Sequence, residues 1–135
     1  MVDANALITS RHQLDCSGSI TLGSFSSIAS HETKILPHRT DLREDVQVAY
    51  HVVIGDRSFV GARCLILGGA SLAANSVLTA GSVLTRSNSV AESGLQAGVP
   101  AKFRGAVEGR WFSRSKTGTS RVFIPATGTT VEDAL

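Results

Sequence analysis

Three of the four histidines, His31, His38 and His51, lie close together in a segment that is rich in charged side chains. An imidazole titrates near neutral pH and can accept a proton from an attacking hydroxyl or amine. A carboxylate beside the ring can orient it. The segment contains four acidic side chains: Glu32, Asp41, Glu44 and Asp45. These residue types favour a general base, provided that a rigid framework holds the segment in place.

A repeat of six residues predicts that framework. Counting by sixes from Ile54, every position is aliphatic: Ile54, Val60, Ile66, Leu72, Leu78, Leu84 and Val90. Four places further on, every residue is small: Ser58, Cys64, Ala70, Ser76, Ser82, Asn88 and Gly94. A helix repeats every 3.6 residues and a flat strand every two, so neither explains the spacing. The spacing fits a repeat that contains one short strand and one corner, with three repeats in each coil. This arrangement predicts a triangular prism of parallel sheets whose aliphatic residues point inward.

The repeat is interrupted once, next to the histidines. Cys16, Leu22 and Ile28 occupy the aliphatic position upstream, but the distance from Ile28 to Ile54 is not a multiple of six. We therefore predict a loop of about residues 31–51 that is extruded from the coils. Catalytic residues are often found on such loops.

Bulk properties exclude several other classes of protein. A chain of 135 residues with a net charge of +2 fits one domain and indicates neither nucleic acid nor an anionic membrane as partner. Two cysteines form no disulfide framework, and the N-terminus lacks the features of a signal peptide. No apolar run is long enough to span a bilayer, so we expect a cytoplasmic protein.

The segments IGDRSF, VGARCL and LAANSV resemble the repeats of the hexapeptide-repeat acyltransferases, and the resemblance covers roughly Cys16 to Arg104. It implies an all-β, left-handed parallel β-helix, a homotrimer, and acetyl-CoA bound in the cleft between subunits. The expected organisation is a β-helix domain at residues 1–105 and a C-terminal tail or cap at 106–135. Trp111 and Phe112 are expected to pack on the last coil or to reach a neighbouring subunit.

The segment ILPHRTDL is similar to a short T-H-S-x-D-L element on the family's loop. This resemblance favours His38 as the general base, with His31 as the alternative and His51 in a structural or peripheral position. Asp41 is the carboxylate expected to orient the imidazole or to hold the acceptor, and Glu32 is the second candidate.

Two further segments indicate where the coenzyme would bind. TAGSVLT resembles the family's A-G-S-x-x-T element, and AGVPAK resembles its closing motif. The resemblance implies contacts to coenzyme A from residues of the corners, the closing motif and the strand that follows: Gly61, Ala62, Ala80, Gly81, Thr85, Lys102 and Arg104. The sequence departs from the family at Ala62, which lacks a hydroxyl, and at residues 86–89, which replace an acidic, proline-rich turn.

The predicted function is transfer of an acetyl group from acetyl-CoA to a hydroxyl or amine of a small acceptor such as a sugar. One alternative is a non-catalytic trimeric β-helix that serves as a scaffold. Another is a zinc enzyme like the γ-class carbonic anhydrases, but the corners at residues 61–63 and 68–69 lack the histidines that zinc requires, so no metal is expected.

Overall fold

The computed structural model describes residues 1–132, which form short strands and two 3-10 helices, Arg86–Asn88 and Arg110–Ser113. In chain order the strands are β1 (Leu7–Ile8), β2 (Gln13–Leu14), β3 (Ser19–Leu22), β4 (Ser27–Ile28), β5 (Lys34–Leu36), β6 (His38–Asp41), β7 (Val46–Ala49), β8 (His51–Ile54), β9 (Phe59–Val60), β10 (Leu65–Leu67), β11 (Ser71–Leu72), β12 (Val77–Leu78), β13 (Val83–Leu84), β14 (Leu95–Gly98), β15 (Ala101–Gly105), β16 (Val122–Ile124) and β17 (Thr129–Val131). The prediction of an all-β chain is confirmed.

Three sheets of parallel strands form the body of the protein, and the chain visits them in rotation. Their strand orders are β1-β4-β9-β12-β14-β15, β13-β10-β5-β2 and β11-β8-β3. Strand β15 is the exception in direction, because it pairs antiparallel with β14. In the regular part, Ile54 pairs with Leu72 and Val60 with Leu78. Paired residues there are eighteen positions apart, so each circuit of the three sheets uses three six-residue repeats.

The aliphatic positions of the repeat form the core, as predicted. The six from Ile54 to Leu84 are fully buried, and so are the small side chains of Ser58, Ser76 and Ser82. Val90 differs, because it is only partly buried and follows the 3-10 helix at residues 86–88 instead of lying in a strand. The next inward position is Gln96, which is fully buried.

The prediction that Cys16 occupies an inward position is wrong. Cys16 is exposed, and Leu14 takes the inward position, since it pairs with Ile35 and packs against the core. The turn that follows is longer than in a regular repeat, so the next aligned core residue is Leu22. The pattern of six therefore changes register between β2 and β3.

The excursion is a β-hairpin that is shorter than the predicted loop. Strand β5 remains within a body sheet, where it pairs in parallel with β2 and β10. Only β6 and β7 leave the body, as an antiparallel pair. The amide of Tyr50 donates a hydrogen bond of 2.8 Å to the carbonyl of Pro37 and closes the base of the hairpin. His31 therefore lies in the body, whereas His38 begins the hairpin.

The C-terminal segment packs against the side of the body. The ring of Trp111 meets that of Phe59 edge to face, with centroids 5.4 Å apart. Arg57 fastens the segment through Nη1, which donates to the carbonyls of Phe112 (3.1 Å) and Arg114 (2.8 Å). Trp111 thus contacts β9 of the body. Among residues 1–132, no helix is long and apolar enough to cross a membrane.

Candidate active site

His38 lies where the hairpin leaves the body, and its ring meets a carboxylate from an earlier circuit. Its Nδ1 atom is 2.6 Å from Oδ2 of Asp15, the residue that follows β2. The two come together because β2 and β5 are paired, and the amide of Asp15 donates a 3.0 Å hydrogen bond to the carbonyl of Ile35. The side chains are 37% and 21% exposed, so the pair is partly shielded from solvent.

The carboxylate of Asp15 is held by Ser17. Its Oδ1 atom accepts hydrogen bonds from the hydroxyl of Ser17 at 2.7 Å and from the amide of Ser17 at 2.9 Å. These bonds, and to a smaller extent the nearby imidazole of His38, lower the pKa of Asp15 below its ordinary value. The carboxylate is therefore ionised at neutral pH and leaves Oδ2 to face the ring.

The carboxylates that the sequence favoured have other partners. Asp41 accepts hydrogen bonds from the amides of Arg43 (3.0 Å) and Glu44 (3.2 Å), so it caps the turn of the hairpin. Glu32 forms an ion pair of 2.8 Å with Arg63. Asp41 is three residues beyond His38 on the same strand, so the two side chains leave opposite faces. The structure places Asp15, and not Asp41 or Glu32, against the imidazole of His38.

His38 and Thr85 line the same cleft, which has a volume of about 330 Å³. Arg39, Tyr50 and Arg86 also line it, and no acidic side chain among residues 1–132 does. Arg39 donates a hydrogen bond of 3.2 Å from Nε to the hydroxyl of Tyr50. The cleft is therefore cationic and suited to an anionic ligand.

Arg86 lines this cleft. Its aliphatic stem lies against Gly69, where an added Cβ would be 3.0 Å from Cδ of the arginine. Within residues 1–132, no hydrogen bond or ion pair engages its guanidinium group. A guanidinium group without a protein partner is available to a phosphate or carboxylate of a ligand.

The residues expected at the coenzyme corners are stacked at a different corner of the body. The amide of Gly81 donates a 2.9 Å hydrogen bond to the carbonyl of Ala62. A Cβ on Gly61 would lie 2.8 Å from the amide nitrogen of Ala80, so only glycine permits this approach. Gly81 has a φ of +73° and open space where a side chain would be. This corner therefore has no side chain at Gly61 or Gly81.

The remaining predicted site residues divide between this corner and the end of the body. The carbonyl of His31 accepts a 3.1 Å hydrogen bond from the amide of Arg63, which places His31 beside the corner of Gly61 and Ala62. Lys102 and Arg104 are exposed and alternate along β15, so both leave the same face of the strand.

The other two histidines have structural partners. His12, the only one outside the charged segment, accepts the amide hydrogen of Thr33 on Nδ1 at 3.1 Å, and its Nε2 is 2.9 Å from Oγ1 of Thr9. His51 is exposed and places Nε2 2.7 Å from Oγ1 of Thr21. In the part of the chain that the structure describes, no group of three or more His, Cys, Asp or Glu residues is arranged to hold a metal ion.

Sequence reasoning missed Asp15, Ser17, Arg39, Tyr50 and Arg86. The segment D-C-S-G at residues 15–18 carried one usable signal, because an aspartate two residues before a serine often forms a local turn. The assignment of Cys16 to an inward position conflicts with such a turn, because it places residues 15–18 within a regular repeat. Nothing in the spacing of the repeat points to Arg39 or Tyr50, which belong to the excursion.

A family model described as the hexapeptide repeat of succinyl-transferase matches residues 51–86 of the chain. No curated protein sequence matches the chain significantly. The matched segment contains β8 to β13, the regular part of the body.

Several solved structures share the fold. A variant of AntD, an N-acyltransferase from Bacillus cereus in complex with dTDP-4-amino-4,6-dideoxyglucose and coenzyme A, is 14% identical with a TM-score of 0.60, over 78% of this chain and 61% of AntD. A hexapeptide-repeat-containing acetyltransferase from Vibrio cholerae is 15% identical with a TM-score of 0.59, over 81% and 74%. A maltose O-acetyltransferase from Clostridium difficile 630 is 16% identical with a TM-score of 0.57, over 77% and 67%.

These likenesses establish the fold, and the chain spans less than two thirds of the AntD chain. The resemblance to the hexapeptide-repeat acyltransferases, carried by the segments IGDRSF, VGARCL and LAANSV, is confirmed by the family model over the repeat and by the solved structures over most of the chain.

Proposed function

We propose that the protein is an acyl-CoA-dependent acyltransferase that moves an acetyl group from acetyl-CoA to a hydroxyl or amine of a small acceptor. The observation that carries this proposal is the shared cleft of His38 and Thr85. One residue was expected to be the general base and the other to contact coenzyme A. They are 47 positions apart in the sequence, and the fold brings them to one cationic cleft.

The proposed architecture is a left-handed parallel β-helix that assembles as a trimer. The eighteen-residue register and the rotation through three sheets support a three-sided solenoid. The handedness and the trimer rest on the likeness to the hexapeptide-repeat structures. In such an assembly, a neighbouring subunit would complete the open cleft beside His38.

The coenzyme supplies an activated thioester, and the residues of this chain do the rest of the chemistry. His38 accepts the proton of the acceptor hydroxyl or amine while the acceptor atom attacks the thioester carbonyl. The carbon–sulfur bond then breaks, and His38 returns the proton to the departing sulfur. The products are the acetylated acceptor and free coenzyme A.

The described residues fit a coenzyme in two respects. The amides of Ala62 and Ala80 donate no hydrogen bond within residues 1–132, so both are available to the amide carbonyls of a pantetheine arm. Lys102 and Arg104 offer exposed cations on β15 for phosphate groups, and Arg86 offers another in the cleft. The choice of a hydroxyl or amine as acceptor rests on the structural neighbours, which include an enzyme bound to an amino sugar nucleotide and a maltose O-acetyltransferase.

A thiol-release assay with acetyl-CoA and a panel of sugars and amino sugars tests the proposal. We expect acceptor-dependent release of thiol, and a decrease in kcat of about 10²- to 10⁴-fold for His38→Ala. His51→Ala is the matched control, since it removes an exposed histidine that adjoins the hairpin and should leave turnover unchanged.

Three outcomes would contradict parts of the proposal. If His31→Ala abolishes turnover and His38→Ala does not, the base is at the other corner. If His38→Ala is fully active and His31→Ala is also active, neither histidine is the base. If the protein neither binds acetyl-CoA nor releases thiol with any acceptor, the acyltransferase assignment fails and a scaffolding role is favoured.

A further inference from the structure

We propose that Asp15, held in place by Ser17, is a positioning residue that fixes the tautomer and orientation of His38. This inference rests on the proposed function, in which His38 is the general base. It replaces Asp41, the carboxylate that the sequence favoured, with one that belongs to the first circuit of the body.

The argument begins with the protons on the ring. An ionised carboxylate has acceptor sites only, so the Nδ1 atom that faces Oδ2 of Asp15 at 2.6 Å must carry a proton. A neutral imidazole carries one ring proton. Nε2 then keeps its lone pair and can accept the proton of the acceptor. If Nδ1 were unprotonated, Nε2 would carry the proton and could not accept the proton of the acceptor.

The carboxylate is itself fixed. Both hydrogen bonds from Ser17 go to Oδ1, at 2.7 and 2.9 Å, and the amide of Asp15 is bonded to Ile35 on the strand that leads into the hairpin. Oδ2 is left facing the imidazole of His38. The ring and the carboxylate meet at ion-pair distance but not in a well-aligned hydrogen bond. No other polar atom of residues 1–132 is hydrogen-bonded to Nδ1, so Asp15 has no competitor for it.

Charge supports the same assignment. Within the described residues 1–132, the lining of the cleft includes Arg39 and Arg86 and no acidic residue, so Asp15 supplies negative charge to the ring from outside the lining. That charge stabilises the imidazolium that forms when His38 accepts a proton. The carboxylate of Asp15 therefore stabilises both the resting tautomer of His38, in which Nδ1 carries the proton, and the protonated ring.

Asp15→Asn tests the inference because it keeps the size of the side chain and removes its charge. The new amide can donate a hydrogen bond to an unprotonated Nδ1 and so favour the tautomer in which Nε2 carries the proton. We expect kcat to fall about 10²- to 10⁴-fold while the KM for acetyl-CoA changes less than threefold. Asp56→Asn is the matched control, since Asp56 accepts a backbone hydrogen bond of 2.8 Å from Ser24 at another corner. It should retain wild-type kcat.

A second readout does not depend on turnover. The ¹⁵N chemical shifts of the His38 ring report which nitrogen carries the proton. We expect the Nδ1-protonated tautomer in the wild type, and a shift toward the Nε2-protonated tautomer in Asp15→Asn. Ser17→Ala should lower kcat by about tenfold, because it removes the hydroxyl hydrogen bond to the carboxylate and leaves only the bond from the backbone amide.

The two proposals fail in different ways. If the wild type transfers acetyl groups but Asp15→Asn keeps kcat within threefold, the positioning role is overturned and the acyltransferase function stands. If the wild type transfers nothing, the proposed function fails, and the ring tautomer still decides whether Asp15 sets the state of His38. An Nε2-protonated ring in the wild type would overturn the inference in either case.

Discussion

Gln96 lies in register with Leu78 on the neighbouring strand, and it takes the inward place that an aliphatic residue occupies in every earlier circuit of that sheet. Its side chain is fully buried, yet neither Oε1 nor Nε2 has a hydrogen-bond partner within residues 1–132. A buried amide without partners costs free energy, because it has lost its bonds to water. The last circuit therefore contains a polar group that opposes folding.

We predict that Gln96→Met raises the free energy of unfolding by about 1–2 kcal/mol, since methionine is similar in shape and leaves no polar atom unpaired. Urea denaturation of the purified protein would measure the change. Gln13→Met is the control, because Gln13 is exposed, and its effect should stay within about 0.5 kcal/mol of zero. A loss of stability in Gln96→Met would mean that the amide has a partner in solution.

A second prediction concerns Arg86 and the phosphates of the donor. If its unpaired guanidinium group binds a phosphate, Arg86→Gln should raise the KM for acetyl-CoA by about tenfold. The KM for acetyl-pantetheine, which lacks the phosphates, should not change. Steady-state kinetics with both donors would measure the difference. Arg43→Gln provides the comparison, because Arg43 lies at the tip of the hairpin and does not line the cleft.

The two donors also separate the alternatives for Arg86. Equal increases in KM for acetyl-CoA and acetyl-pantetheine would show that Arg86 supports the shape of the cleft and does not bind phosphate. An increase confined to the KM of the acceptor would place an acidic acceptor, and not the coenzyme, against this residue.

A third prediction follows from His12, whose pKa is lowered chiefly by burial and further by the charge of His31, although a backbone hydrogen bond with Ile28 raises it. Protonation would also break the bond that Nδ1 accepts from Thr33. The unfolded chain therefore binds a proton at higher pH than the folded chain. Stability from this group is fully present above the unfolded pKa of about 6.5 and is lost as pH falls toward the folded pKa.

The variant His12→Asn removes the titration and keeps an oxygen that can accept the amide of Thr33. Relative to this variant, the wild type should lose stability as the pH is lowered from about 8 to about 5. Chemical denaturation at several pH values would show the trend. Parallel stability curves for the two proteins would disprove the role of His12.

The spacing of six residues predicted the regular body well. The columns that start at Ile54, Val60 and Ile66 are buried and paired at intervals of eighteen residues. The prediction succeeded because each repeat must place one aliphatic side chain inside a narrow cross-section, and neighbouring circuits must align their backbones. Where the backbone departs from six residues, as after Leu14, the same reasoning misplaced Cys16.

An excursion from the coils was predicted as a loop of about residues 31–51, whereas the structure limits it to the hairpin of β6 and β7. The break between Ile28 and Ile54 shows only that extra residues are present. Which of them remain in a body sheet depends on pairing, and Lys34–Leu36 pair with strands on both sides. Where the repeat is interrupted, the local spacing does not record which residues pair with distant strands.

The sequence by itself determined that aliphatic side chains recur every six residues. At that spacing neither a helix nor a flat strand can bury them all, so they must be stacked in successive coils. Only the tertiary structure decided which carboxylate would meet His38. Asp15 and His38 are separated by one full circuit of the body, and they touch because β2 pairs with β5. Hydrogen bonds between circuits set that contact, and no local pattern of residues records which circuits will be neighbours at the cleft.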